Sequence, residues 1–74
     1  MNNVLQNLSL REVEIVECLS KGMTSKEIAE NLFLSNHTVD THRRNILKKT
    51  TAKNTAQLLQ MWFTYPAKVW MMAS

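Results

Sequence analysis

The residues best equipped for chemistry lie between Arg43 and Lys53. Five of them are basic, Arg43, Arg44, Lys48, Lys49 and Lys53, and none is acidic. Positive potential concentrated in this way attracts a polyanion, nucleic-acid phosphates above all, although a solvated helix face can carry the same run. Charge is spread unevenly, because ahead of Thr24 the basic Arg11 and Lys21 are outnumbered by Glu12, Glu14 and Glu17. Other reactive residue types offer less. Cys18 is the single cysteine; with no second thiol or ligand cluster beside it, it reads as a small, partly buried residue in a reduced compartment. His37 and His42 are off the i, i+4 spacing that sets two metal ligands on one helical face. No nucleophile with a base at usable spacing, no glycine-rich phosphate loop and no pocketed carboxylate pair occurs. The expectation is a chain that binds rather than catalyses, with no cofactor and no metal.

The elements that must position these residues are helices. The chain of 74 residues has one glycine and one proline, and no alternating apolar segment bounded by turn signals, so strands are unsupported and the class is all-α. Ser9 with Glu12 forms a capping box that starts a helix over about 10–21, with Ile15, Val16 and Leu19 inward and Gly22 placed to close it in the left-handed region. Thr24 with Glu27 repeats the box for a second helix over 25–32, whose inward stripe is Ile28, Ala29 and Leu32. Ser35 caps a third helix over 36–49 after only a short turn. On it Val39, Ile46 and Leu47 face inward, while His37, Thr41, Arg44 and Lys48 follow an i, i+4, i+7, i+11 line along another face. Asn54 caps a fourth helix over 55–64, limited by Pro66.

That fourth helix has more apolar residues than one stripe needs. Ala56, Leu59 and Phe63 form one face, read as inward; Leu58, Met61, Trp62 and Tyr65 form a second, read as seeking a partner. Residues 1–7 are a lead-in, 8–65 the domain and 66–74 a tail. The first ten residues lack the basic start and apolar core of a signal peptide, and no apolar stretch approaches the ~20 residues of a membrane span, so a cytoplasmic location without a membrane partner is expected.

Two capped helices joined by a tight turn, the second basic on its outer face, have the layout of a DNA-reading helix-turn-helix. Ala29 is small where the two helices must cross closely. From about Leu8 to Phe63 the sequence resembles the LuxR/GerE-type helix-turn-helix of bacterial transcription regulators. The resemblance is carried by Leu8-Ser9, Arg11-Glu12, Glu14, Gly22, Ser25 to Ala29, Leu32 to Ser35, Thr38-Val39, His42, Ile46-Leu47 and Lys48-Lys49.

The resemblance implies a four-helix domain with the third helix in the major groove of double-stranded DNA, and a homodimer formed through the fourth. It implies base contacts by Asp40, Thr41 and Arg44, and phosphate contacts by Lys26, Thr38, His42, Lys48 and Lys49, with Asn36 and His37 contributing at the start of the helix. Leu58, Met61, Trp62 and Tyr65 are the expected dimer surface. Arg44 suits its role on chemical grounds, since a guanidinium binds guanine O6 and N7 bidentately.

The sequence also departs from the family pattern. Asp40 stands where a basic residue is frequent; its carboxylate repels phosphate, accepts from cytosine N4, or orients Arg44 one turn on. Thr50-Thr51 replace a common leucine-glycine pair, and Asn54-Thr55 lacks the arginine often seen after the asparagine. An alternative function is a protein-interaction adaptor that keeps the fold and pairs with another regulator or with RNA polymerase, a partner open to the DNA-binding reading as well.

Overall fold

The computed structural model describes residues 8–64, which form four helices, α1 Leu10–Ser20, α2 Ser25–Leu32, α3 Asn36–Thr50 and α4 Thr55–Thr64. No strand occurs among the described residues. Each start is built by local side-chain chemistry. Ser9 Oγ accepts from the Glu12 amide at 3.2 Å while Glu12 Oε1 accepts from the Ser9 amide at 2.8 Å. Thr24 and Glu27 repeat the arrangement at the same distances, 3.2 and 2.8 Å. Ser35 Oγ accepts from the Thr38 amide, and Asn54 Oδ1 from the Gln57 amide. These bonds occupy amides that a helix leaves unpaired in its first turn.

Helix ends differ more from one another. At the end of α1, Lys21 is the cap and Gly22 takes φ +83. The Met23 amide then reaches Cys18 O and the Gly22 amide reaches Leu19 O, the paired bonds of a Schellman motif. α2 ends on Phe33 at φ +58, after which the Leu34 amide bonds Ala29 O at 2.8 Å and turns the chain into α3. α3 continues through Thr50, one residue past the predicted end, and closes on Thr51 at φ +60. Both left-handed caps are occupied by residues with a Cβ, and Thr51 is β-branched, the type least suited to that region.

The core is one cluster drawn from all four helices. Ile15, Val16 and Leu19 of α1 meet Ile28 and Ala29 of α2, Val39 and Ile46 of α3, and Leu58 of α4, with Leu8 and Ala52 closing its edges. α1 and α3 each pack against the other three helices. Thr50 is fully buried and satisfies its hydroxyl by donating to Ile46 O at 2.8 Å, so a polar residue fills a core site without an unpaired group.

Two expectations about α4 are corrected. Leu58, assigned to the dimer surface, is 1% exposed within the core, and Met61 and Trp62 pack against it from the edge. Phe63, assigned to the inward face, is 71% exposed, and Ala56 is exposed with it. Leu58, Met61 and Trp62 stand at i, i+3 and i+4 on the inward side, joined by Leu59, which packs against the core as expected, whereas Phe63 falls off that side. Tyr65, the fourth of the expected dimer residues, lies outside the described residues, as do the lead-in 1–7 and the tail 66–74.

Candidate nucleic-acid interface

α3 presents its polar face because Val39 and Ile46 pin the opposite face into the core. His37, Asp40, Thr41, Arg44 and Lys48 are all exposed along that polar face, and Asn36 is exposed at its start. Lys26 is exposed in the first turn of α2, on the helix that precedes the turn. Arg44, Lys48, Lys26 and His37 have no side-chain hydrogen bond or ion pair among the described residues, so their charges and donors face solvent uncommitted. Thr41 is partly committed, its hydroxyl donating to His37 O at 3.0 Å within the helix.

Thr38 and His42, expected on phosphates, are half-buried. Thr38 belongs to the helix cap: its amide donates to Ser35 Oγ at 3.0 Å and its own Oγ1 accepts from the Ser35 hydroxyl at 2.8 Å. Lys49 departs most from expectation. Its ammonium donates to both carboxylate oxygens of Glu12, at 2.9 and 3.0 Å, and is therefore committed to an internal ion pair that fastens the end of α3 to the start of α1. Two of the three ammonium donors and most of the charge are thereby spent on Glu12, which leaves less for a phosphate than the unpaired Lys48 has.

Glu12 is the electrostatic centre of this junction. Burial of its side chain, 5% exposed, works to raise the carboxyl pKa. The hydrogen bond from Lys49, the Ser9 amide and the Lys49 charge outweigh that effect and hold it below the ordinary range. Glu27 is also lowered, through the hydrogen bond from the Thr24 amide.

A second junction was not anticipated. Arg43, counted only as part of the basic run, is half-buried and extends across three helices. Nη1 donates to Ser25 Oγ of α2 at 2.6 Å, and Nη2 to Thr55 Oγ1 of α4 at 2.8 Å. Ser25 Oγ in turn donates to Asp40 Oδ1 at 3.1 Å. Asp40, Arg43, Arg44, Leu47 and Thr55 line a shallow groove of about 400 Å³ beside the exposed face of α3. The only sequence signal for this network was that Arg43 lies one position off the solvent-facing line of His37, Thr41, Arg44 and Lys48.

Among the described residues no group of His, Cys, Asp and Glu could hold a metal ion, and no helix is long and apolar enough to cross a membrane. Cys18 is buried, 3.9 Å from the Asn31 side-chain amide.

A capped helix pair joined by a tight turn, with the second helix buried on one face and cationic on the other, defines a helix-turn-helix domain. Its family is that described as bacterial regulatory proteins, luxR family, whose pattern matches residues 6–62, and the chain belongs to it. It is 35% identical over 60 residues to the virulence-factor transcription regulator BvgA of Bordetella pertussis, covering 81% of this chain and 29% of that protein. It is 41% identical over 59 residues to the oxygen regulatory protein NreC of Staphylococcus carnosus, covering 80% and 27%. With the fimbriae Z protein of Salmonella typhimurium it shares 44% over 52 residues, covering 70% and 25%. The chain thus spans less than a third of the length of these relatives. No solved structure matches it.

Proposed function

We propose that the chain binds duplex DNA sequence-specifically as part of transcription regulation, with α3 in the major groove. The observation that carries this reading is the uncommitted cationic face of α3, Arg44 and Lys48 with His37 on a helix whose other side is locked in the core, joined by Lys26 from α2. A rigid helix about 15 residues long fits the groove end-on or along it, and side chains a turn apart reach successive base pairs. Arg44 is assigned to guanine, Thr41 to a base edge or a thymine methyl, and Lys26, His37 and Lys48 to phosphates. Lys49 is left out of this set because its charge already serves Glu12.

The functional form is a homodimer on an inverted repeat, paired through the exposed side of α4 that carries Phe63. Support comes from the family resemblance, with Phe63 71% exposed on a ten-residue helix whose opposite side packs on the core through Leu58.

Titration of the chain with random-sequence and selected duplexes over a range of salt tests the reading. Binding to random duplex that weakens steeply with salt, and tighter binding to a selected sequence, are the expected outcome. Absence of any duplex binding at low salt would reject DNA as the partner and favour the adaptor function.

A further inference from the structure

A carboxylate on a face that meets phosphate calls for a chemical reason, and the hydrogen bonds around Asp40 supply one. Ser25 Oγ lies 3.1 Å from Asp40 Oδ1 and 2.6 Å from Arg43 Nη1. A guanidinium only donates, so the serine oxygen accepts from Arg43. A serine has a single hydroxyl hydrogen, and with Asp40 Oδ1 within reach that hydrogen goes to the carboxylate, which only accepts. The chain Arg43 to Ser25 to Asp40 therefore runs in one direction. Arg43 is held at its other end by Thr55, so its charge stays beside Asp40 and offsets the repulsion a bare carboxylate would exert on phosphate. Asp40 is thus fixed by α2 and has not turned toward Arg44. Oδ1 is engaged, while Oδ2 has no partner among the described residues and Asp40 is exposed on the polar face of α3.

We propose that Asp40 reads cytosine, its Oδ2 accepting from the N4 amino group on the major-groove edge, with Ser25 and Arg43 as the positioning residues. The proposal rests on the DNA-binding function above and specifies the base. An acceptor that cannot donate is mismatched to guanine, which offers O6 and N7, and to thymine, which offers O4 and a methyl group. Adenine has an N6 amino group, but its N7 lone pair lies alongside and opposes a carboxylate. Cytosine presents the N4 donor without an acceptor beside it on that edge.

The test uses the full 74-residue chain and its Asp40→Ala, Asp40→Asn and Ser25→Ala variants. Each selects duplexes from a random pool, and affinities are then measured with every base pair at every position of the selected site. For the wild-type chain one position is restricted to cytosine by about tenfold or more over guanine and thymine. Asp40→Ala abolishes that restriction, Ser25→Ala reduces it, and the preferences at other positions survive in both. Asp40→Asn moves the preference toward adenine, because an amide pairs with N6 and N7 together; this gain does not depend on the alanine variant folding. An Asp40→Ala chain that binds DNA and keeps the cytosine restriction would overturn the proposal, as would wild-type preference for guanine or thymine at the position these variants alter. Failure of the wild-type chain to bind any duplex at low salt would overturn the DNA-binding function itself.

Discussion

Lys49 Nζ sits between the two carboxylate oxygens of Glu12, a residue 37 positions earlier that also completes the capping box of α1. One carboxylate therefore starts the first helix and anchors the last turn of the third. The pair is asymmetric, since the Glu12 side chain is 5% exposed and that of Lys49 is 41% exposed. Removing the lysine strands a buried anion, whereas removing the carboxylate charge leaves an ammonium that water can solvate.

This asymmetry sets the order of two substitutions. Lys49→Met is expected to lower unfolding stability at neutral pH by roughly 1–3 kcal/mol, the low end being favoured because the lysine is partly screened by solvent. Glu12→Gln keeps a side-chain oxygen for the Ser9 amide and is expected to cost less, about 0.5–1.5 kcal/mol. Urea denaturation of both variants gives the comparison. Equal losses would mean that the burial difference has no energetic consequence.

Acid should erase part of the same difference. Glu12 and Glu27 have lowered folded-state pKa values, so between the folded and unfolded values the unfolded chain binds more protons and stability rises with pH. Their contribution is fully present above the unfolded carboxylate value of about 4.3 and is lost as pH falls through the lower folded values. Thermal melts from pH 6 to pH 2 should show Tm falling below about pH 4.5, with a smaller fall for Glu12→Gln. A wild-type Tm unchanged across this range would contradict the assignment.

Local structure is legible in the sequence. Capping boxes, the Gly22 terminus and the inward stripes of α1 to α3 each depend on residues within four or five positions, and the four helices follow from them. Where two solutions satisfy the same pattern, the residues alone do not choose between them. With seven apolar or aromatic residues over Ala56 to Tyr65, the inward face of α4 depends on how α1 receives the helix, and no local rule ranks Leu58 above Phe63. Lys49 and Lys48 are indistinguishable as neighbours in a basic run, and only Glu12 on a distant helix separates them. Arg43 gained its role in the same way, from Ser25 and Thr55.

The division of labour on α3 makes a second group of substitutions informative. Arg44→Ala is expected to cost about 1–3 kcal/mol at the selected site and to relax the preference at one position. Lys48→Ala should weaken specific and random duplexes alike and reduce the salt slope by about one. Lys49→Ala should leave that slope nearly unchanged, because its ammonium is held by Glu12. Indistinguishable salt slopes for the two lysine variants would return Lys49 to the phosphate set.

Thr51 offers a test of backbone strain. A β-branched residue at φ +60 incurs roughly 1–2 kcal/mol from contact of its Cβ with the backbone. Glycine removes that strain but gives the unfolded chain more freedom, and the hydroxyl bond to Thr50 O is lost. The balance predicts that Thr51→Gly raises stability by about 0.5–1 kcal/mol. Thr51→Val, which keeps the branching and discards the hydroxyl, should lower it. Denaturant midpoints with unchanged m-values give both changes in stability, and a lowered midpoint for Thr51→Gly would show that the strain at this cap is too small to matter.

Leu58 and Phe63 separate the core of the protomer from its proposed dimer face. Leu58→Ala opens a cavity where α1, α3 and α4 meet and is expected to cost about 2–5 kcal/mol, enough to unfold much of so small a domain. Phe63→Ser removes a side chain that is mostly in solvent and should change protomer stability by no more than about 0.5 kcal/mol. Its effect should appear instead in sedimentation equilibrium, as a shift from dimer toward monomer, and as a larger loss of affinity for an inverted repeat than for a single half-site probe. If Phe63→Ser leaves self-association intact while a milder core change such as Leu58→Met disrupts it, pairing runs through the packing of α4 on its own protomer and not through its exposed face.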